Sequence, residues 1–331
     1  MFNVSAPTSI AAAPPARLKF SNPDVTAKGE ERASVGLERL ETVWFNTGTL
    51  CNITCVNCYI ESSPSNDRLA YLSATDVRAF LDEIAASDLG TREIGFTGGE
   101  PFLNPDFLVM LDDALSRGFE VLVLTNAMQP MQRAGIKKGL LKLREAHGAR
   151  LRLRVSLDHF TAELHEAERG PRTFGKTLAG LDWLAENGLT IAIAGRTCWH
   201  ELDEEAREGY GRLIAEHRWP IDPVDRKALM LLPEMDGSLE VPEITTRCWS
   251  LLGKRPQDMM CATSRMIVKR KGASRATVLP CTLLPYDTDF EMGATLGDAA
   301  SVDGGMFAKG HVKLCHPNCA KFCVLGGGSC S

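Results

Sequence analysis

The sequence lacks the features that mark membrane-spanning, secreted or nucleic-acid-binding proteins. No run approaches the roughly 20 apolar residues that a membrane-spanning helix needs, and no cationic segment precedes the small residues of the N-terminus. The net charge is −5, and no basic tract dominates the chain. These absences argue against a nucleic-acid or membrane partner and favour a cytoplasmic protein.

Signatures of several enzyme classes are also missing. The chain has no G-x-S-x-G sequence, which excludes the nucleophile elbow of many hydrolases. The glycine-rich segment near the C-terminus lacks the lysine and the strand–helix setting of a phosphate-binding loop. His159, His165 and His200 do not have the H-x3-H spacing of a metal site. The chemistry must therefore come from other residues.

Cysteine, by contrast, is abundant, with eleven residues in a chain of 331. In a reducing compartment, clustered thiols are more often metal ligands or catalysts than disulfides. Three cysteines fall between Cys51 and Cys58, six fall at or after Cys261, and Cys198 and Cys248 lie between these groups. The distribution predicts two metal regions that flank a cysteine-poor core.

The core has the alternating pattern of an α/β protein. Six runs rich in Val, Ile and Leu predict strands buried on both faces, at 41–48, 92–99, 119–127, 151–159, 189–197 and 227–237. Helical patterns separate the runs, at 72–87, 102–118, 129–147, 173–188 and 201–217. Serial βα units form parallel sheets covered by helices. Six units predict a partial (βα)6 TIM-like barrel.

Local signals predict helix ends and three regions of the chain. Ser73 is the expected N-cap of the first helix, and Gly118 and Gly188 are expected to end two others. We expect a Pro/Ala-rich, loosely docked N-terminal arm over 1–38 and the barrel over 39–240. A small cysteine-rich α+β domain is expected over 241–331, where residues 261–281 predict a hairpin that turns near Gly272.

The first cysteine group has a C-x3-C-x2-C spacing, formed by Cys51, Cys55 and Cys58. A structural zinc site requires four ligands, commonly two separated pairs, and this loop has three with no nearby histidine. A 4Fe-4S cluster held by three thiolates instead keeps one iron open for another ligand. The missing fourth thiol would then be the functional feature.

This spacing, followed by the aromatic Tyr59, resembles the signature of the radical S-adenosylmethionine (SAM) superfamily. The resemblance implies that SAM chelates the open iron through its amino and carboxylate groups. It also implies that an electron from the cluster cleaves SAM to methionine and a 5′-deoxyadenosyl radical, which takes a hydrogen atom from a substrate. The motif follows the first predicted strand, where barrel enzymes place their active sites.

A second motif, TGGEP at 97–101, follows the second predicted strand and is similar to the GGE motif of the same superfamily. The resemblance implies that Gly98 and Gly99 expose backbone to the SAM amino group and that Glu100 helps to receive the ammonium. Glycine permits close backbone approach, and a carboxylate suits a cation. An ordinary Gly-Gly turn is the alternative, but two motifs on successive strands argue against it.

Other positions match the superfamily more loosely. Ser156 and Asp158 resemble its fourth-strand S-x-D pattern, which implies positions near the SAM ribose and methionyl groups. Thr125 and Asn126 resemble a third-strand T-N-G ending, and Ala127 stands where glycine is usual.

The last two strands carry further loose matches, so that the resemblance covers about 41–237. Arg196 follows the fifth strand and is expected to clamp the SAM carboxylate with its guanidinium, or else to form a surface ion pair. Residues 231–237 stand where relatives contact adenine.

The second cysteine group resembles the Twitch or SPASM extension of this superfamily, which holds auxiliary Fe-S clusters. The resemblance implies one auxiliary cluster bound by Cys261, Cys281 and two of Cys315, Cys319 and Cys323. The usual C-x2-C-x5-C spacing is altered here to C-x3-C-x3-C.

Other interpretations of the later cysteines stay open. A structural zinc knuckle, aided by His311 or His316, is the alternative to the auxiliary cluster. Cys330 lies in an ending similar to that of some SPASM domains, and neither it nor Cys198 has an assigned role.

The resemblance implies an enzyme, of oxidoreductase or transferase class, that acts on a small-molecule or short-peptide substrate. Its electron donor would be a protein such as flavodoxin or ferredoxin. A SPASM-type peptide or protein maturase is one alternative, and a non-catalytic Fe-S or zinc scaffold is another.

Overall fold

A computed structural model describes residues 18–233 and 240–326. Within these ranges the strands are β1 (Ser34–Val35), β2 (Thr42–Asn46), β3 (Glu93–Thr97), β4 (Glu120–Thr125), β5 (Leu151–Ser156), β6 (Thr190–Arg196), β7 (Leu229–Leu232), β8 (Ser264–Val268), β9 (Thr277–Leu279), β10 (Phe307–Ala308) and β11 (His311–Lys313). The helices are α1 (Ala74–Ala86), α2 (Phe107–Ser116), α3 (Gln129–Gln132), α4 (Ala134–His147), α5 (Ala162–Arg169), α6 (Phe174–Glu186), α7 (Asp203–His217), α8 (Cys248–Leu252) and α9 (Leu296–Ser301). No helix within the described ranges is long and apolar enough to cross a bilayer.

The six predicted strands form a parallel sheet in the order β7-β6-β5-β4-β3-β2, which confirms the predicted α/β architecture. The register keeps the carboxyl ends of neighbouring strands level. Asn46 is opposite Thr97 across β2 and β3, and Ser156 is opposite Ala194 across β5 and β6. The loops that follow these strands therefore meet at one edge of the sheet, which is where a barrel binds its ligands.

The helix ends follow the local signals. Ser73 caps α1, and the backbone N–H groups and side chains of Ser73 and Asp76 form a reciprocal capping box. Gly118 and Gly188 adopt positive φ after α2 and α6, a conformation that favours glycine. The predicted helix over 129–147 is divided at Arg133 into α3 and α4. Helix α5 was not predicted.

The predicted hairpin at 261–281 is present, but it does not form a separate sheet. β8 pairs in parallel with β2, and β9 pairs antiparallel with β8, so the hairpin extends the edge of the barrel sheet. Gly272 lies in its turn with a φ of 79°. The domain boundary near 240 stays a prediction, since the sheet itself continues across the two regions.

The expectation of a loosely docked N-terminal arm is wrong for residues 18–38. β1 pairs antiparallel with β11, and Arg32 forms an ion pair of 2.6 Å with Glu243, with side chains 1% and 6% exposed. The backbone N–H of Phe20 also donates to Glu243. A buried charge is stable only when it is paired and hydrogen-bonded, so these contacts fix the arm on the C-terminal region. The Pro/Ala-rich residues 1–17 lie outside the described residues.

Aromatic side chains join the first strands to the outer helices. Phe45 of β2 stacks on Phe96 of β3 with 5.6 Å between ring centroids, and Phe96 meets Phe107 of α2 edge-on at 5.4 Å. Each such pair contributes about 0.5–1.5 kcal/mol beyond its buried area. This packing anchors the two strands whose ends carry the cysteine and GGE motifs.

Candidate active site and auxiliary cysteine site

The three cysteines of the C-x3-C-x2-C motif lie in the loop after β2 and line one cavity of about 210 Å³ at the carboxyl ends of the strands. The loop is held by backbone contacts, including a hydrogen bond from Cys51 N to Ser63 O of 3.1 Å. The backbone N–H of Ser62 donates to Cys58 Sγ at 3.3 Å. Hydrogen bonds to sulfur are among the features that tune cysteine-ligated clusters. The donor set therefore fits a cluster held by three thiolates.

Burial keeps the thiols of Cys51 and Cys55 neutral in the absence of a cation. Burial raises the pKa of Cys51 to about 12, and it also raises the pKa of Cys55. Bound iron would reverse this effect, because a metal ion favours the thiolate form of its ligands.

The GGE turn packs directly against the segment that leads into the cysteine loop. Gly99 N donates to Gly48 O at 2.9 Å, and Glu100 N donates to Leu50 O at 3.1 Å. A Cβ atom at Gly99 would lie 2.1 Å from Leu50 O, and one at Gly98 would lie 2.5 Å from Gly48 O. Both glycines line the cavity. Their need for glycine thus arises from backbone packing inside the protein, in addition to any approach by a ligand.

Glu100 lies behind the cavity wall and is 1% exposed. Its carboxylate accepts hydrogen bonds from Thr125 Oγ1 (2.9 Å), Asn126 N (2.9 Å) and Phe102 N (3.2 Å). Burial raises its pKa to about 7, although these hydrogen bonds act in the opposite direction. The carboxylate positions the end of β4, and its predicted contact with a SAM ammonium stays a prediction.

The end of β4 brings a third element to the cavity. Asn126 lines it and donates through Nδ2 to Asn52 Oδ1 in the cysteine loop at 2.9 Å. Ala127 has a φ of 57°, the left-handed conformation that glycine adopts most readily. The backbone therefore takes the shape of a T-N-G ending although the residue is alanine.

Two buried ion pairs form the wall at β5 and β6. Arg169 binds both carboxylate oxygens of Asp158, at 2.8 and 3.0 Å, and Arg196 pairs with Glu168 at 2.9 Å. Ser156 lies on the same wall. Burial by itself would lower the pKa of Arg169, but the nearby Asp158 carboxylate raises it above the ordinary value. The alternative of a surface ion pair for Arg196 is wrong, because Arg196 is 7% exposed.

Glu168 and Arg169 are the functional candidates that sequence reasoning missed. Both lie in the last turn of α5, and Glu168 also accepts a hydrogen bond of 2.9 Å from Asn57 in the cysteine loop. Arg169 could have been sought because Asp158 follows a strand that is predicted to be buried, and a buried carboxylate requires a nearby cation.

Apolar side chains also line the cavity. They include Met230 and Leu232 of β7, together with Met260, Leu283 and Phe322 from the C-terminal region. Tyr59 also lines the cavity. Residues 231–233 of the predicted adenine-contact segment lie at or near these side chains, and residues 234–237 lie outside the described residues.

A second, smaller cavity with apolar walls is lined by four of the later cysteines, Cys261, Cys281, Cys319 and Cys323. Cys319 and Cys323 belong to a π-helical turn, Cys319–Leu325, in which residues four apart lie on one face. Cys315 is separate, since its thiol donates to the carbonyl groups of Phe20 and Asn22 at 3.4 and 3.3 Å. The structure therefore brings Cys319 and Cys323, but not Cys315, to the cavity of Cys261 and Cys281, and their binding of a cluster stays a prediction.

The arrangement favours an Fe-S cluster over a zinc knuckle. In residues 18–233 and 240–326, no three or more Cys, His, Asp or Glu side chains converge on a single metal-ion position. Zinc bonds sulfur at about 2.3 Å and would draw its four ligands close together, whereas a cluster of four irons is wider. His316 is also engaged elsewhere, as Nδ1 accepts a hydrogen bond from Asn318 N.

Among the described residues, Cys198 and Cys248 line neither cavity. Cys248 is partly exposed, and its sulfur contacts the backbone N–H of Thr245 at 3.4 Å. Cys198 is also partly exposed, in the loop after β6. Cys330 lies outside the described residues.

Comparison of the sequence with known protein families identifies the superfamily. The profile described as "Radical SAM superfamily" matches residues 45–213, which is half of the chain. The chain belongs to the radical SAM superfamily. Radical SAM enzymes use a 4Fe-4S cluster and SAM, and the cysteine loop and its cavity fit both groups.

Curated relatives of this radical SAM chain include a bacteriocin biosynthesis protein and a maturase. The subtilosin biosynthesis protein AlbA of Bacillus subtilis (strain 168) is 27% identical over 194 residues, which are 56% of this chain and 41% of AlbA. The mycofactocin maturase MftC of Mycobacterium ulcerans (strain Agy99) is 30% identical over 142 residues, which are 43% of this chain and 36% of MftC. The chain thus spans well under two thirds of the length of these relatives.

Solved structures support the fold. Streptococcus suis SuiB bound to its precursor peptide SuiA has a TM-score of 0.54 at 14% identity, covering 78% of this chain and 63% of SuiB. The enzyme anSMEcpe with bound AdoMet has a TM-score of 0.56 at 14% identity, covering 79% of this chain and 77% of its own. At this identity the likeness concerns the fold alone, and it confirms the partial barrel.

Proposed function

We propose that this chain cleaves SAM reductively at the Cys51–Cys58 loop and abstracts a hydrogen atom from a peptide substrate. One observation carries the proposal: the cysteine loop, the two glycines of the GGE turn and the charged side chains of Asp158, Arg169 and Arg196 line the same cavity. A scaffold that only carried electrons would not need the glycine turn and the charged wall beside its cysteines.

The cysteines, the charged side chains and the apolar side chains that line the cavity have separate proposed roles. Cys51, Cys55 and Cys58 would hold the cluster and leave one iron position open. When bound, the cluster and SAM supply the chemistry of the superfamily: electron transfer to SAM yields methionine and a 5′-deoxyadenosyl radical that abstracts hydrogen. Shielding the radical from water would protect it from side reactions.

The charged wall suits the methionyl end of SAM, which carries both an ammonium and a carboxylate. Arg169 lines the cavity with its guanidinium fixed by Asp158, so it can donate to a carboxylate without a large ordering cost. Ser156 adds a hydroxyl group, and Gly98 and Gly99 add backbone. Arg196, paired with Glu168, completes the predicted set.

A peptide substrate is favoured over a small molecule by the comparisons. AlbA is a bacteriocin biosynthesis protein, MftC is a maturase, and SuiB is seen with a precursor peptide. Other relatives, such as the GTP 3′,8-cyclase of Rhodococcus opacus (strain B4), carry small-molecule names. The apolar wall formed by Met260, Leu283 and Phe322 offers a surface for an apolar side chain.

The second cavity is proposed to hold a fully ligated auxiliary cluster. Four thiolates occupy all four irons, so this cluster has no open position for substrate and its role is electron transfer. Leu283 lines both cavities, so the two share this side chain as part of their walls. A cluster held in the second cavity would be placed to accept an electron from the product radical. Residues 39–240 would form the catalytic region and 241–331 the auxiliary region, with flavodoxin or ferredoxin as the donor to the first cluster.

The test is release of 5′-deoxyadenosine by anaerobically reconstituted protein given SAM and dithionite. Wild type should release it, Cys55→Ala should fall to background, and Cys315→Ala, which removes a cysteine outside both cavities, should keep the wild-type rate. If wild type binds iron and SAM but releases nothing with or without candidate peptides, the proposed reaction is wrong.

A further inference from the structure

Arg265 of β8 is a fully buried cation beside the second cavity, with 1% of its surface exposed. Its Nη1 donates to the carbonyl oxygens of Cys261 (2.5 Å) and Ser264 (2.7 Å). Its other two donor nitrogens, Nε and Nη2, have no hydrogen-bond partner among the described residues. Buried polar groups are almost always hydrogen-bonded, so this side chain requires an explanation.

The charge of Arg265 is unbalanced as well. No carboxylate in the described parts of the chain forms an ion pair with it, whereas the equally buried Arg32 is paired with Glu243. A guanidinium does not lose its proton in a protein, so Arg265 keeps its positive charge although it is buried. An unpaired buried ion carries a penalty of several kcal/mol, so an anion is expected next to Arg265 in the functional protein.

Arg265 is not one of the residues that line the four-cysteine cavity, but it is hydrogen-bonded to one of them, Cys261. Arg265 is held against the backbone of Cys261, and both Cys261 and Cys281 are near enough to interact with its charge. We infer that Arg265 is the counter-ion and hydrogen-bond donor of the auxiliary Fe-S cluster and that it raises the reduction potential of that cluster. The inference rests on the proposed function, in which Cys261, Cys281, Cys319 and Cys323 bind the cluster.

The expected effect follows from charge. A cluster held by four thiolates is an anion, and reduction adds one further negative charge. A fixed cation and N–H donors near the sulfur atoms stabilise the more negative state, because hydrogen bonds and nearby charge are main determinants of cluster potential. Arg265 thereby makes the auxiliary cluster a better electron acceptor. It is a positioning residue and touches neither SAM nor substrate.

The experiment isolates the auxiliary cluster in a variant that carries Cys51→Ala, Cys55→Ala and Cys58→Ala. Its reduction potential is measured by electron paramagnetic resonance during a redox titration. Adding Arg265→Met should make reduction at least tenfold less favourable, about 59 mV for one electron. Arg265→Lys should shift it less. Arg270→Met is the matched control, since Arg270 lies in the same hairpin and is paired with Glu291; it should leave the potential unchanged.

A second readout separates this role from a purely structural one. Without iron, Arg265 is an uncompensated buried charge, so Arg265→Met should leave the thermal stability of the metal-free protein equal or higher. A metal-free variant that unfolds earlier or fails to fold, or a loaded variant with an unchanged potential, would overturn the inference alone. If the three-alanine background binds no iron, the auxiliary cluster and this inference both fail.

Discussion

The two cysteine sites differ in the number of thiols and in the character of the cavity around them. The loop after β2 contributes three thiols to a larger cavity with a charged wall, whereas four thiols meet in a small cavity between apolar side chains. In the proposed function the first arrangement leaves one iron position open for a second molecule, and the second leaves none. The same amino acid would then serve binding chemistry in one region and electron transfer in the other.

The arginines near the two sites sharpen the contrast. Arg169 and Arg196 are each paired with a carboxylate before any ligand binds. Charges of both signs at one wall suit a zwitterion such as the methionyl group of SAM. Arg265 has no such partner among the described residues, and its site is prepared for an anion.

The largest expected effect is the loss of the iron bound at one cysteine site while the other site keeps its iron. Cys281→Ala should reduce bound iron from roughly eight to roughly four atoms per chain, because a 4Fe-4S cluster needs its thiolates. Cys315→Ala should keep roughly eight. Iron analysis of anaerobically reconstituted protein distinguishes them, and equal loss in both variants would show that the cysteines are wrongly grouped.

Gly99→Ala should damage the first site and spare the second. The added Cβ would collide with Leu50 O at 2.1 Å, and the backbone leading to Cys51 would have to shift. We expect loss of 5′-deoxyadenosine release while the auxiliary cluster signal persists. Gly175→Ala in α6 is the control, because its Cβ would meet nothing within 4 Å. Wild-type activity in Gly99→Ala would refute the role of the GGE turn as a support for the loop.

Arg169→Met should weaken SAM binding by roughly 30-fold or more, since truncating one member of a buried charge pair costs about 2–5 kcal/mol. Part of this cost comes from Asp158, which would be left buried without a partner. Calorimetry with the loaded protein measures the affinity. Arg78→Met, which disrupts a half-exposed pair with Asp113, should not change it. An unaltered SAM affinity in Arg169→Met would remove Arg169 from the binding site.

Glu100→Gln should change the pH dependence of stability in the metal-free protein. The folded-state pKa of Glu100 is raised from 4.5 to about 7. The stabilisation that protonated Glu100 gives to the folded state is therefore fully present below pH 4.5 and is lost as the pH rises towards 7. Glutamine should flatten this part of the curve by about 3 kcal/mol, at about 1.4 kcal/mol per pH unit. Denaturant unfolding at several pH values measures the slope, and parallel curves for the two proteins would contradict the raised pKa.

Much of the barrel could be predicted because its signals are local. Strands such as β4 and β6 are continuous apolar runs next to glycine turns, and the cysteine and GGE motifs occupy fixed places after β2 and β3. All of the predicted SAM-site residues except Glu100 line the first cavity. Their roles at that cavity remain predictions.

The features that were missed depend on contacts between distant parts of the chain. The docking of the arm depends on Arg32 meeting Glu243, and the place of β8 depends on pairing with β2. Helix α5 is short and mostly polar, so its sequence resembles a loop. Its buried face includes His165, whose full burial is evident only in the structure. Equal C-x3-C spacings could not separate Cys315 from the others, since the π-helical turn begins only at Cys319.

The most direct measurement of the central claim is electron paramagnetic resonance of the reduced protein with and without SAM, in two variants. One retains only the first site (Cys319→Ala with Cys323→Ala), and the other retains only the second (Cys51→Ala, Cys55→Ala and Cys58→Ala). SAM should change the cluster spectrum of the first variant and leave that of the second unchanged. A spectrum altered by SAM in the second variant, or in neither, would contradict the assignment of one open and one closed site.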